Sequence, residues 1–377
     1  MSEYSLPKLR GELEEINFRL LDLLNRRADV VKKVRKVKEQ EGIPVFVPER
    51  ELKMLNDLVK RNTGPFPDQT VKKLFREIFS ASVALMEKQQ ENVLRVSRAF
   101  RKEDLVLNIR NMRLGEGSVI IAGPCSVESE EQMDTVARDL SALGIRFLRG
   151  GTFKPRSSPY SFQGLGEPGL GILRQTAQRY GMVSVTEVMD TRKVGLVSEY
   201  ADVLQIGTRN MHNYDLLREV GRTRKPVILK RGMASTIDEF LWSAEYIVSE
   251  GNENVILCER GIRTFERQTR NTLDISAIPL LRQMSFLPVI VDLSHAAGRK
   301  DILASLGAAS LAAGACGLMV EVHPFPAVAR SDSQQQMDIT EFTQFLIDVG
   351  AVRPAPPKQI RLRRPGEPPL HCRRKYQ

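Results

Sequence analysis

The sequence predicts an α/β protein, a (β/α)8 barrel preceded by a small all-helical domain of three helices. Two observations lead there. After residue 118, eight short β-branched runs recur, each followed by a segment long enough to hold a helix. Before residue 90, apolar residues repeat at helical spacing instead. At 377 residues the chain also exceeds one ordinary core and suits two domains.

Taken in order, Leu6, Leu9, Leu13, Ile16, Leu20, Leu23, Leu24, Val30, Val34 and Val37 mark a first long helix. The prolines of "EGIPVFVPER" interrupt it, and Leu52, Leu55, Leu58 and Val59 resume the pattern. "NTGPFPD" breaks it again before Val71, Leu74, Phe75, Ile78, Phe79 and Val83. Three helices with one apolar stripe each bury little alone, which predicts dimerisation. Residues 91–117 are charged, poor in pattern and read as a linker. The strands follow at Val119–Ala122, Phe147–Arg149, Val183–Glu187, Val203–Ile206, Val227–Lys230, Val255–Glu259, Val289–Asp292 and Leu318–Glu321. Residues 118–352 thus approach the roughly 250 residues typical of a (β/α)8 barrel. A doubly wound sheet would not need so regular a count. Residues 353–377 form a basic, Pro-rich tail, expected to be disordered.

Composition narrows the functional classes. Hydrophobic residues make up 42 % and charged residues 27 %, a globular balance. No apolar run approaches the roughly 20 residues of a membrane helix, and "MSEYSLPKLRGELEE" lacks the apolar stretch of a secretory signal. The four cysteines (Cys125, Cys258, Cys316, Cys372) stand far apart, as reduced thiols of a cytoplasmic protein would. Net charge is +10, yet only the tail approaches a dense basic stripe, so no nucleic-acid partner is expected.

In such a barrel the active site lies at the carboxyl ends of the strands. Those ends deliver Cys125, then Arg149 and Lys154, Glu187, Arg209, Lys230, Glu259 and Arg260, Asp292 and His295, and Glu321. One such residue could be a surface charge; so many in phase point to chemistry. They sort into two sets. Cys125, His295 and Glu321, with Asp332 as a further candidate, could hold a divalent metal through mixed S, N and O ligands. Cys125 alone would read as a buried thiol and His295 alone as a core histidine. Together, on neighbouring strands of a closed barrel, they favour the metal. Arg149, Lys154, Arg156, Arg209, Lys230, Arg260 and Arg299 would repel one another unless multiply charged anions fill the rim, phosphates and carboxylates being the natural guests.

"AGPCSVES", "LRGGTFKPRSSPYSFQGLG", "VTEVMD", "LQIGTRNMHN", "LKRG", "ILCERGIRTFE", "SHAAGRKD" and "VEVHPFP" resemble 3-deoxy-D-arabino-heptulosonate 7-phosphate (DAHP) synthase of the type I beta branch, over residues 115–350. The related 3-deoxy-octulosonate 8-phosphate synthases carry a "KANRSS"-like motif where "KPRSSP" stands here. The resemblance implies condensation of phosphoenolpyruvate with erythrose 4-phosphate, opening the shikimate pathway. It implies Cys125, His295, Glu321 and Asp332 as ligands of one divalent metal (Mn2+, Zn2+, Fe2+ or Co2+). Arg149, Lys154, Arg209, Lys230 and Arg260 would hold phosphoenolpyruvate; Arg156, Ser157 and Arg299 would hold erythrose 4-phosphate. Lys154, crowded by other cations, is expected to have a lowered pKa and to protonate the forming alkoxide, with His295 a second catalytic candidate. Leu293, Thr208 and Cys316 depart from the usual pattern without removing a named ligand.

"LRGELEEINFRLLDLLNRR", "KVK" and "PERE" resemble the all-helical chorismate mutase family over residues 5–90. Arg10, Arg27, Lys38, Arg50 and Glu51 fall on its functional positions and would bind chorismate or prephenate. Val47 replaces a usual acidic residue and Met86 the polar residue that faces the ether oxygen. The resemblance therefore implies weak mutase turnover, or a purely ligand-binding module that senses chorismate or prephenate and inhibits the barrel. A homodimer or homotetramer is the expected assembly.

Overall fold

The structure, a computed structural model, describes residues 5–351 except 45, 89–92, 155–157 and 159, and not the side chains of 39, 87 and 88. The tail after 351, Cys372, Arg156 and Ser157 thus lie outside the described residues. The chain divides into two compact units, residues 1–93 and 94–377.

The first unit is three helices: α1 (Leu6–Glu41), α2 (Pro48–Lys60) and α3 (Asp68–Lys88). Helix α1 ends where Gly42 takes a left-handed conformation (φ 69°), and α2 opens with Pro48 in its first turn. Leu55, Phe79 and Met86 are buried, but Leu13, Ile16, Leu20 and Leu23 of α1 are 50–59 % exposed. Among the described residues of this unit, an apolar stripe of that length is left uncovered.

The second unit opens with an antiparallel hairpin, β1 (Leu107–Ile109) and β2 (Met112–Leu114). This corrects the linker expected over 91–117. Leu105, Leu107, Ile109 and Leu114 are buried in the barrel's core cluster, and Leu105 N–H donates to the Phe286 carbonyl (2.9 Å). Strands of three residues separated by charged ones leave too short a pattern to read.

The barrel strands are β3 (Val119–Gly123), β4 (Phe147–Arg149), β5 (Val183–Glu187), β6 (Val203–Ile206), β7 (Val227–Lys230), β8 (Val255–Glu259), β9 (Val289–Asp292) and β10 (Gly317–Glu321). They close in chain order, β10 pairing in parallel with both β9 and β3, as a TIM barrel. Around them run α4 (Glu130–Ala142), α5 (Glu167–Arg179), α6 (Val194–Tyr200), α7 (Tyr214–Arg222) and α8 (Ile237–Ser249). These are followed by α9 (Ala277–Met284), α10 (Leu293–Ala297), α11 (Leu303–Ala312) and α12 (Ile339–Asp348). The strands are buried on both faces, which is why they read as short continuous apolar runs rather than alternating ones. No helix among the described residues is long and apolar enough to cross a membrane.

Candidate active site

The corner after β3 depends on Gly123. Its φ is +147°, and a Cβ there would meet the Arg149 carbonyl oxygen at 2.1 Å. Only glycine lets the two strands approach so closely. Pro124 then turns the chain and leaves Cys125 fully buried at the top of the barrel.

His295 arrives from the other side of the seam. Asp292 closes β9 and caps α10: its Oδ1 accepts the His295 backbone N–H (3.1 Å), and its Oδ2 faces Nδ1 (2.8 Å). A buried carboxylate at that distance assigns the ring proton to Nδ1 and leaves the Nε2 lone pair free to bind a metal. Burial lowers the His295 pKa against the pull of Asp292 and Glu321, which favours the neutral ring. Glu321, the last residue of β10, sets Oε1 3.4 Å from His295 Nε2. Asp332, beyond β10, brings Oδ2 to 3.4 Å from Cys125 Sγ.

Candidate ligand atoms of Cys125, His295, Glu321 and Asp332 all lie within 4.8 Å of one another, the one such cluster among the described residues. One thiol sulfur, one imidazole nitrogen and two carboxylate oxygens at that spacing suit a divalent transition metal. Without an ion, burial pushes the Cys125 thiol up to about 12, aided by the Glu321 charge. Burial would raise Glu321 as well, but His295, Arg149 and Lys154 outweigh it and hold its carboxyl far below the usual range.

The cations surround this cluster. Arg149, Lys154, Arg209, Lys230 and Arg260 line one cavity of about 480 Å3, together with Glu187, Thr208, His295 and Asp332. Arg149 Nη1 donates to Glu321 Oε1 (2.5 Å). Lys154 Nζ lies 3.0 Å from both Cys125 Sγ and the Cys125 carbonyl. Lys230 donates to Asp292, so that carboxylate ties a rim cation to His295. Among the described residues, Arg260 Nη1 is buried without a hydrogen-bond partner. A buried guanidinium N–H so placed in a cation-lined cavity suits an anionic acceptor.

One expectation changes. Lys154 was expected below its ordinary pKa. Burial does pull it down and Arg149 adds to that, but Cys125 and the carboxylates of Glu321 and Glu187 outweigh them, and it stands above the usual lysine value. Arg299 is absent from the main cavity. It pairs with Asp301 (2.7 Å) on the rim of an adjoining hollow that it shares with Arg267, Arg270 and Asp332. Residues that the sequence did not single out include Arg263 and Arg270, which line the main cavity. Arg231, buried between Glu259 (2.9 Å) and Asp274 (2.8 Å), is a third. Cys316 directly precedes β10, at the opposite end of that strand from Glu321.

In the helical unit, Arg27, Lys38, Arg50 and Glu51 line a smaller cavity of about 170 Å3. Val47, Phe79, Ser82 and Met86 share it. Arg27 donates to Ser82 and stacks over Phe79 (5.3 Å), and burial lowers its pKa. Lys38 Nζ donates to the Pro44 carbonyl (2.9 Å). Arg10 is elsewhere: it lies on the same helix as Arg27, roughly 25 Å along the axis at 1.5 Å per residue.

Known proteins resemble both units of the chain. Residues 90–353 match the DAHP synthetase I family, and residues 9–87 match chorismate mutase type II. The phospho-2-dehydro-3-deoxyheptonate aldolase of Thermotoga maritima is 54 % identical over 252 residues, covering 67 % of this chain and 75 % of the relative. Its crystal structure superposes with a TM-score of 0.66 at 52 % identity, covering 68 % of this chain and 75 % of that one. A truncated form of that organism's enzyme aligns at TM-score 0.64 and 49 % identity, covering 68 % of this chain and 94 % of it. A 2-dehydro-3-deoxyphosphooctonate aldolase of Francisella tularensis subsp. holarctica is 31 % identical, covering 64 % of this chain and 94 % of the relative. The chain therefore belongs to the DAHP synthetase I family, a DAHP synthase barrel carrying a chorismate mutase type II domain at its N-terminal end.

Proposed function

We propose that the barrel condenses phosphoenolpyruvate with D-erythrose 4-phosphate, releasing DAHP and inorganic phosphate. It would do so with one divalent metal held by Cys125, His295, Glu321 and Asp332. The observation that carries this reading is the juxtaposition of seven cationic side chains lining one cavity, Arg260 with a buried guanidinium N–H that has no partner among the described residues, with a cluster of four metal-type donors, of which His295 and Asp332 line that cavity. The metal would act as a Lewis acid on the aldehyde or position a water.

The protein's own groups account for the rest. Arg149, Lys154, Arg209, Lys230 and Arg260 neutralise the carboxylate and phosphate of phosphoenolpyruvate and hold its plane. C3 of the enol ether attacks the aldehyde carbon, and the new C–C bond leaves positive character at C2. Lys154, an ammonium in the resting site, gives its proton to the forming alkoxide. Water adds at C2 and gives one proton back to Lys154; the resulting hemiketal phosphate expels inorganic phosphate, which carries off the hydroxyl proton as the ketone forms. Arg156, Ser157 and Arg299 would take the phosphate of the aldehyde substrate.

The competing reading is an octulosonate synthase, which would use arabinose 5-phosphate. "KPRSSP" and the 54 % against 31 % identity favour the heptulosonate enzyme. Offering each aldehyde separately decides it: phosphate release with erythrose 4-phosphate and little with arabinose 5-phosphate supports this reading, and the reverse overturns it.

For the helical unit we propose binding of chorismate or prephenate at Arg27, Lys38, Arg50 and Glu51, weak conversion of chorismate to prephenate, and inhibition of the barrel by either ligand. Val47 and Met86 on the cavity wall support weak turnover, because developing charge there would find no polar partner. The uncovered stripe of α1 and the remoteness of Arg10 support pairing with a second copy. A cytoplasmic setting, with Cys125, Cys258 and Cys316 as free thiols, belongs to the same reading. Removing residues 1–93 should leave a synthase that ignores both ligands; a truncated barrel that is still inhibited would refute the regulatory part.

A further inference from the structure

Two adjacent glutamines, Gln335 and Gln336, are 3 % and 0 % exposed. Both sit just past Asp332. Their amides point to different parts of the site.

Gln335 stands between a group that can only donate and one that can only accept. Arg270 Nη1 donates to its Oε1 (3.0 Å), and its Nε2 donates to Glu321 Oε2 (2.6 Å). The guanidinium fixes the orientation of the amide, so the NH2 must face the carboxylate. With Oε2 taken, Glu321 Oε1 is the oxygen turned toward His295 Nε2.

Gln336 joins two segments that are 211 residues apart in sequence. Its Oε1 accepts the Cys125 backbone N–H (2.8 Å), and its Nε2 donates to the Ser331 carbonyl (2.8 Å). A second strut, Ser126 Oγ to Ser331 Oγ (2.8 Å), runs alongside. Between these ties Asp332 holds φ +46°, a conformation that a non-glycine residue keeps only where its surroundings determine it. The fourth ligand, His295, has its own anchor in Asp292.

We propose that Gln335 and Gln336 are positioning residues for the metal site, fixing the donor atoms of Cys125, Glu321 and Asp332 and thereby setting its affinity and geometry. The proposal rests on the metal reading above. If the amides served packing alone, their loss would lower stability and leave metal affinity untouched.

The test is a Co2+ titration of the metal-free full-length protein, with the thiolate-to-cobalt charge-transfer band and a competing chelator as readouts. Gln335→Met should weaken Co2+ binding by about 10- to 100-fold while the band stays in place, because Cys125 keeps its tie. Gln336→Met should weaken binding by a similar factor and also shift or diminish the band, because the Cys125 turn is released. Gln334→Met, at an exposed neighbour, should behave as wild type. Affinities in both methionine variants within about twofold of wild type, with an unchanged band, overturn the proposal. If a methionine variant does not fold, the asparagine variant, an amide one methylene short, takes its place with the same expected loss. A wild-type protein that binds Co2+ without a thiolate band would overturn the metal reading itself, a result distinct from intact binding in the variants.

Discussion

Arg149 Nη1 and Glu321 Oε1 meet at 2.5 Å in the top of the barrel, 4 % and 0 % exposed, joining a residue of the anion rim to a residue of the metal cluster. Removing one member of a buried pair costs roughly 3–5 kcal/mol, because the other is left uncompensated. Arg149→Met should therefore lower Tm in chelator by the equivalent of about that much. Added metal, a cation beside Glu321, should restore part of it. The stabilising effect of metal should be larger in the variant than in the wild type, as read by thermal unfolding with and without the ion.

Cys125→Ser keeps the size of the side chain and a hydrogen-bonding atom for Lys154, but it replaces a thiolate by a poor ligand. Metal content and turnover should fall together, by more than the roughly 100-fold at the upper end for a lost supporting hydrogen bond. Circular dichroism should not change. Equal metal content and rate in this variant would remove Cys125 from the site.

Lys154→Met should reduce kcat by about 100- to 10,000-fold, the range for losing a positioned general acid. KM for phosphoenolpyruvate should rise far less, because six other cationic side chains line the cavity. A proportionate change in KM alone would make Lys154 a binding residue and not the proton donor.

In the helical cavity, Met86→Gln in the full-length chain restores a donor where the wall is apolar. Chorismate consumption, followed by absorbance, should rise by about 100- to 1,000-fold. No gain would locate the weakness of the mutase site elsewhere than at Met86.

Cys316 supplies a pH test away from both cavities. Burial pushes its thiol up to about 11, partly offset by backbone hydrogen bonding, Val289 included. At pH 8 roughly one molecule in a thousand carries the thiolate, the reactive form. Alkylation mapped to Cys316 should be slow at pH 7 and rise about tenfold per pH unit up to pH 10. Rapid labelling at neutral pH would contradict its buried setting.

Much of the barrel is legible in the sequence because each strand is a short apolar run with a charged or ligand-type residue at or just beyond its end. Glu187, Lys230, Glu259, Asp292 and Glu321 close their strands as expected, and Phe147–Arg149 and Val203–Ile206 match residue for residue. What escaped depends on distance more than pattern. Counting charges suggested a crowded, acidified Lys154, whereas the fold sets Glu321 and Glu187 near enough to reverse the sign. Gln335 and Gln336 lie in "SDSQQQMD", which reads as a polar loop until the chain closes on Cys125 and Glu321. The hairpin of Leu107–Leu114 was hidden by its charged neighbours.

The proposed reaction needs the cation-lined cavity and the metal cluster at its edge to act together on phosphoenolpyruvate and an aldehyde. The most direct measurement is the loss of phosphoenolpyruvate absorbance on adding erythrose 4-phosphate, before and after chelation and after a divalent metal is restored. Consumption should require the aldehyde, stop on chelation and return with the metal. Consumption that is indifferent to chelator, or that proceeds without the aldehyde, would contradict the proposed reaction.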